Sequence, residues 1–60
     1  MLYEVAYVKN GKLTRGGIKA PMPTVAEWIR ELKEVDRETE YVAVPANEKA
    51  IPEERVRAFL

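Results

Sequence analysis

The sequence predicts an α+β domain in which a small three-stranded antiparallel sheet is covered by one amphipathic helix and followed by a short C-terminal helix. Three observations favour this fold: an Asn-Gly pair between two strand-like segments, an apolar stripe at helical spacing after two prolines, and a short apolar run closed by another proline. The elements therefore follow the order ββαβ. Sixty residues make a single domain, 1–60, and a chain of this size buries only about 60% of its unfolded surface.

The first two elements form a β-hairpin. The segment "LYEVAYV" (2–8) is rich in β-branched and aromatic residues, and "KLTRGGIKA" (12–20) follows it. Asn10 and Gly11 lie between them, and this pair favours a type I′ turn because both turn positions need a positive φ. We therefore expect two antiparallel strands joined by a two-residue turn.

The turn also sets the strand register. With Asn10-Gly11 as the turn, Val8 faces Leu13 and Tyr3 faces Ile18. Gly16-Gly17 inside the second strand predicts a bulge or a bend, because glycine interrupts regular strands. A bulge there would move Ile18 to the other face of the sheet.

The segment "PMPT" (21–24) ends the hairpin and begins the helix. Thr24 and Glu27 match a capping box, and Pro23 can pack against Trp28 as a hydrophobic staple. The apolar residues then recur at helical spacing. They are Val25, Trp28, Ile29, Leu32 and Val35.

A third strand and a short helix complete the chain. "YVAV" (41–44) reads as a strand closed by Pro45, and "ANEKA" (46–50) reads as a loop. Pro52 suits the first position of a helix. The apolar residues of that helix are Val56, Phe59 and Leu60. Because the returning strand takes a free edge of the sheet, we expect the strand order 2-1-3.

The charge of Glu4 indicates which face of the sheet the helix covers. Burying an unpaired carboxylate in the central strand is costly, so we expect Tyr3, Val5 and Tyr7 to lie beneath the helix. The opposite face then carries Leu2, Ala6, Val8 and Leu13 beside Arg15 and Lys19. In a chain this small its own C-terminal helix is favoured as the cover of these aliphatic residues, and a partner protein is the alternative.

Several residue types are absent, and this excludes whole classes of chemistry. The chain has no Ser, His, Cys or Gln, so Ser-His-Asp and Cys-His catalysis and zinc sites built from His or Cys cannot occur within it. We predict no catalytic residue, no metal, no cofactor and no small-molecule ligand. Low Gln and Cys with abundant Glu, Lys and Arg resembles the composition of heat-adapted proteins.

The expected cellular location follows from the apolar pattern of the sequence. No apolar run approaches the roughly 18 residues that a membrane span needs, and the N-terminus lacks a signal-peptide pattern. We therefore expect a cytoplasmic protein with no membrane partner.

Charge is balanced overall and uneven along the chain. Residues 5–26 contain four bases and no acid, whereas residues 27–40 contain six acids and three bases. The four hairpin bases, Lys9, Lys12, Arg15 and Lys19, are the candidate nucleic-acid contacts. The sequence pI of about 6.2 opposes that hypothesis, and lysines on an edge strand also discourage sheet-to-sheet pairing. The element order is similar in outline to that of three-stranded DNA-binding domains of some integrases and plant transcription factors, a likeness that carries little functional weight.

The predicted function is a non-catalytic protein-interaction module, acting through the sheet face or the edge hairpin. It would serve as an accessory subunit, an inhibitor or a self-associating dimer, so the partner is another protein or a second copy. The predicted partner-binding residues are Leu2, Val8, Leu13 and Arg15. Nucleic-acid binding by the basic hairpin is the alternative.

Overall fold

Two strands, a helix, a third strand and a short helix follow one another in the computed structural model, which describes residues 1–45 and 49–58. Their bounds are β1 Tyr3–Lys9, β2 Lys12–Ala20, α1 Met22–Val35, β3 Glu40–Pro45 and α2 Glu53–Arg57. The sheet has the order β2-β1-β3, and both strand pairs are antiparallel. The predicted fold class and strand order are confirmed.

The hairpin has the predicted turn and a shifted second half. Asn10 and Gly11 have φ values of 55° and 76°, the positive values that the turn requires. Pairing follows the predicted register as far as Ala6, which faces Arg15. Beyond this point the register shifts, and Tyr3 faces Ala20. The predicted pair of Tyr3 and Ile18 is therefore wrong.

The register shift comes from the predicted bulge at Gly16-Gly17. Between the paired positions Glu4–Lys19 and Ala6–Arg15, β1 has one residue and β2 has three. Gly17 has a φ of 88°, a conformation that glycine adopts without steric cost. Since β2 gains an even number of residues, the alternation of its side chains is preserved. Ile18 therefore stays on the face that α1 covers.

The core lies between α1 and the sheet face that carries Tyr3 and Val5, as the position of Glu4 predicted. Its buried members come from β2, α1, β3 and α2: Ala20, Met22, Val25, Ala26, Ile29, Tyr41, Ala43 and Val56. Tyr3 and Val5 pack against this cluster and are half-buried. Tyr7 was expected in the core and is exposed instead, at the hairpin end of β1.

Helix α1 begins earlier than its capping box predicted. Its N-cap is Pro21, whose carbonyl oxygen accepts hydrogen bonds from the N–H groups of Thr24 and Val25, both at 3.1 Å. Pro23 fits the first turn because a helix does not use that backbone donor. Thr24 therefore lies inside the helix with no capping bond, and Glu27 forms an ion pair with Arg30 at 2.7 Å. The predicted capping box is wrong.

The second half of the α1 stripe is exposed. Val25 and Ile29 are fully buried, whereas Leu32 is partly exposed and Val35 is 84% exposed. Because α1 lies mainly over β1 and β3, the side chains that it directs towards β2 have little cover.

The outer edge of β3 is partly closed by the segment before α2. Ala43 and Ile51 exchange two backbone hydrogen bonds, with N–O distances of 3.1 and 2.7 Å. Pro52 is the N-cap of α2 and not its first helical residue. Val56 is buried in the core on the α1 side, so the expected cover of the opposite face by α2 does not come from this residue. Residues 46–48 of the predicted loop, and Phe59 and Leu60, lie outside the described residues.

Candidate interaction surface

Strand β2 is the open edge of the sheet. It pairs with β1 on one side, and no other strand among residues 1–45 and 49–58 pairs with its outer side. Eight of its nine residues are exposed, and Ala20 at its end is the buried one. An open strand edge presents backbone N–H and C=O groups that can pair with another chain. The two edges of this sheet therefore differ, because Ile51 occupies part of the β3 edge.

An apolar groove runs beside this edge, between β2 and α1. We call it the β2–α1 groove, and its volume is about 340 Å³. Its lining residues are Val5, Gly16, Ile18, Trp28, Glu31 and Leu32. Ile18 is 66% exposed, so a large aliphatic side chain lies at the mouth of the groove. Glu31 is the one charged residue among those that line it.

Gly16, the first glycine of the bulge, lines the groove. A Cβ atom at Gly16 would lie 2.9 Å from the carbonyl oxygen of Val5, closer than side-chain carbons normally approach an oxygen. Gly16 therefore lets the two backbones lie close together and contributes no side chain to the groove. The sequence signal for this site was Gly16-Gly17 together with the long apolar stripe of α1, and residue-by-residue reasoning did not connect them.

The predicted partner-binding residues lie on the sheet face opposite α1, which we call the far face. Leu2 and Leu13 are 51% and 43% exposed, Arg15 is exposed and Val8 is half-buried. The centre of this face is already buried, since Ala6, Val42 and Val44 form a second small cluster with Val8 against it. The exposed apolar part of the far face is therefore smaller than the sequence suggested.

An ion pair occupies the middle of the far face. The Arg15 guanidinium donates a hydrogen bond to Glu4 Oε1 at 3.2 Å, and Glu4 is only 7% exposed. The carboxylate is thus buried and paired, which is the condition under which its burial is tolerable. Lys19 faces Glu4 across the strands. Arg15 therefore stabilises the fold, in addition to any role in binding.

The four hairpin bases do not form one patch. Lys9 faces Lys12 at the end of the hairpin, on the side of the sheet that α1 covers. Arg15 and Lys19 lie on the far face, where Arg15 is paired with Glu4. Positive charge is therefore divided between two faces, which reduces the phosphate contacts that either face can make at once.

A second set of cations surrounds a cavity of about 430 Å³ near the C-terminal end of α1. Its lining residues are Arg30, Lys33, Glu34, Arg37 and Arg57. Lys33 lies 3.4 Å from Glu53 and donates a hydrogen bond to the carbonyl oxygen of Thr39. Arg57 also contacts Glu53, and Arg30 pairs with Glu27. Three of the four cations thus have an acidic partner, and Lys33 also links α1 to α2. This cavity is therefore a poor anion site.

The turn before β3 holds the titratable group with the densest set of hydrogen bonds. Asp36 Oδ2 accepts hydrogen bonds from Thr39 Oγ1 at 2.6 Å and from the Tyr41 hydroxyl at 3.3 Å. Its Oδ1 accepts from the backbone N–H groups of Glu38 and Thr39. The Thr39 hydroxyl bond is the main reason that the pKa of Asp36 is lowered. Burial, with the nearby Asp36 carboxylate, raises the pKa of Tyr41.

This network ties the turn to β3, and its geometry is that of a structural turn. Asp36 accepts four hydrogen bonds from its own neighbourhood, so its oxygens are already used. Within the described ranges, no three acidic, histidine or cysteine side chains are placed to hold a metal ion. The same ranges contain no helix long and apolar enough to cross a membrane.

The β2 edge and the adjoining β2–α1 groove together form the candidate interaction surface. No protein-family model, curated protein or solved structure matches this chain.

Proposed function

We propose that this chain is a non-catalytic protein-interaction module that binds its partner along β2, with an apolar side chain of the partner in the β2–α1 groove. The observation that carries the proposal is an open strand edge directly beside an apolar groove. The proposal keeps the predicted function and one of its two predicted surfaces, the edge hairpin. It shifts the main contact from the far face to the groove side of β2.

The exposure of apolar side chains supports this choice of surface. Ile18 is 66% exposed, whereas Ala6, Val42 and Val44 at the centre of the far face are buried. Aromatic residues at the centre of a pocket are frequent binding hot spots, and Trp28 lines the groove. Leu13 lies on the same strand with its side chain on the far face, so one partner lying along β2 reaches both sides.

A different protein suits this edge better than a second copy. β2 carries three bases, Lys12, Arg15 and Lys19, and no acid. Pairing β2 with itself would place Arg15 and Lys19 of both copies on the far face of one sheet, and like charges on adjacent strands are destabilising. The same lysines thus oppose self-pairing and favour an acidic partner. Nucleic-acid binding has no comparable support, because the bases are divided between two faces.

A peptide-display selection against the immobilised protein tests this proposal. We expect peptides to be enriched, and their affinity for the variant Ile18→Asp to fall about tenfold or more, as expected when a central contact is lost. Val35→Asp is the matched control, since Val35 is an exposed aliphatic residue of α1 that does not line the groove. Circular dichroism of both variants verifies that they fold.

Two results would contradict the proposal. One is a selection that enriches no peptide over an empty support. The other is a set of enriched peptides that bind the Ile18→Asp and Val35→Asp variants equally well, because binding would then not involve the groove.

A further inference from the structure

We infer that the partner segment is an extended strand with the pattern acid–apolar–acid, which adds to the outer edge of β2. The inference rests on the proposed function and specifies the class of partner. Strand addition obtains affinity from backbone hydrogen bonds and specificity from pockets for alternate side chains. An open edge and an adjoining pocket are both present here.

The apolar position follows from the alternation of side chains. A strand lying beside β2 directs every second side chain to the α1 side, where Ile18 and Trp28 line the groove. One apolar side chain at that position enters the groove. Its two sequence neighbours then point to the far face.

The acidic positions of the partner strand follow from the charge of the β2 residues that they would face on the far face. Arg15 and Lys19 lie there on β2, and both are exposed. Arg15 is partly neutralised by Glu4, whereas among the described residues no carboxylate lies within ion-pair distance of Lys19. Carboxylates at the neighbouring positions would complement this charge, and basic residues would be repelled.

The bulge limits where the added strand can pair. From Lys12 to Arg15 the register of β2 is regular, and it shifts between Arg15 and Lys19, where Gly17 has a positive φ. The backbone bonds of the partner are therefore expected along Lys12–Arg15. The groove begins where this stretch ends, at Gly16, so the apolar residue lies at one end of the paired segment.

The test uses three synthetic peptides titrated into the protein while its amide NMR signals are recorded. One alternates leucine and glutamate, one alternates leucine and lysine, and one has the composition of the first with its leucines and glutamates in blocks. We expect the alternating acidic peptide to shift the amide signals of β2 and the indole N–H signal of Trp28. It should bind about tenfold or more tightly than the basic peptide, and more tightly than the block peptide.

Charge-removing variants test the role of Lys19. We expect Lys19→Gln to lower the affinity for the alternating acidic peptide about threefold, within the range for an exposed ion pair. Arg55→Gln is the matched control because Arg55 is an exposed base on α2, which does not contact β2. Equal weakening by the two variants would overturn the assignment of the acidic positions.

Other outcomes separate this inference from the proposed function. Equal binding of the acidic and basic peptides, or shifts confined to elements other than β2, would overturn the inference. An absence of binding by all three peptides would also overturn the inference. The proposed function would still stand in that case if the binding of display-selected peptides required Ile18. A concentration-dependent dimer that Ile18→Asp abolishes would identify a second copy as the occupant and overturn the inference.

Discussion

Removing the Arg15 side chain tests how the far face of the sheet tolerates a carboxylate. Glu4 lies in the central strand with 7% of its surface exposed, and Arg15 is its one ion-pair partner among the described residues. In the variant Arg15→Ala the carboxylate stays in place without this bond. A buried acceptor left unsatisfied costs about 1–3 kcal/mol.

The exposure of Arg15 places the expected cost in the lower half of that range. The Arg15 side chain is more than half exposed, so water can reach part of the carboxylate after truncation. We expect the free energy of unfolding to fall by about 1–2 kcal/mol. A domain of sixty residues has a total of roughly 3–9 kcal/mol, at 0.05–0.15 kcal/mol per residue. The loss is therefore a large share of the stability.

Urea titration followed by the fluorescence of Trp28, the one tryptophan of the chain, measures this change. The decisive comparison is a double-mutant cycle with Glu4→Gln, which keeps the shape of the side chain and removes its charge. Arg15→Ala should cost less in the Glu4→Gln background than in the native chain, by about 1 kcal/mol. Lys19→Ala is the control, because Lys19 faces Glu4 without a hydrogen bond, and it should change stability by no more than about 0.5 kcal/mol.

Equal losses from Arg15→Ala in the two backgrounds would refute the reasoning. Such a result would show that the negative charge of Glu4 does not contribute to the stabilisation by Arg15. A loss from Lys19→Ala as large as that from Arg15→Ala would likewise contradict the assignment of the pair.

Three further changes are expected to alter stability. Gly16→Ala should lower the free energy of unfolding by about 1–3 kcal/mol, because its Cβ would lie 2.9 Å from the Val5 carbonyl oxygen; an unchanged urea midpoint would contradict this. Ile29→Ala should cost about 2–5 kcal/mol, whereas exposed Val35→Ala should stay within about 0.5 kcal/mol in the same titration. The hydrogen bond from Thr39 lowers the pKa of Asp36 in the folded state. The ionised Asp36 therefore stabilises the fold above its unfolded-state pKa, and this stabilisation is lost as the pH falls through its folded-state pKa. In melting scans Asp36→Asn should flatten the acid-side decline, and an unchanged decline would count against this assignment.

The fold was predictable because its signals are local. Asn10 and Gly11 favour one turn type, and this turn sets the register of the nearest pairs without any knowledge of the rest of the chain. Glu4 indicated the covered face correctly, since a carboxylate in the central strand needs a partner. The structure supplies that partner in Arg15. Glu4 is nevertheless buried on the far face, so its charge alone did not decide which face α1 covers.

The start of α1 was mispredicted because two local signals overlap. Thr24 and Glu27 have the spacing of a capping box, and Pro21 and Pro23 precede them. Beginning the helix at Met22 buries the Met22 side chain in the core, whereas beginning it after Thr24 would leave that residue outside the helix. Tertiary burial decided between two acceptable starts, and no local pattern contains that information.

The β2–α1 groove was not predictable because it depends on where the helix lies across the sheet. The stripe of α1 was recognised, and β2 was recognised as an edge strand, but neither pattern predicted that the two would border one groove. The position of α1 mainly over β1 and β3 leaves Ile18 and Leu32 exposed beside the groove. In this position α1 also packs with α2, and Lys33 contacts Glu53 of α2 and the Thr39 carbonyl oxygen in the turn before β3.

The two edges of the sheet meet the same physical problem in different ways. An open strand edge can pair with any other exposed strand, and small sheets therefore cover it, charge it or interrupt it. At β3 the backbone of Ile51 covers part of the edge. At β2 the edge carries Lys12, Arg15 and Lys19 and is interrupted by the Gly16-Gly17 bulge.

Protection of this kind is selective and not complete. On the function proposed above, the bases would repel a second copy of β2 and favour a strand with carboxylates, and pairing would use the short regular stretch Lys12–Arg15. The double variant Lys12→Gln with Lys19→Gln should therefore promote self-association and lower the affinity for acidic peptides. Light scattering of this double variant measures the first effect. A double variant that stays monomeric would contradict the role assigned to the charges of Lys12 and Lys19.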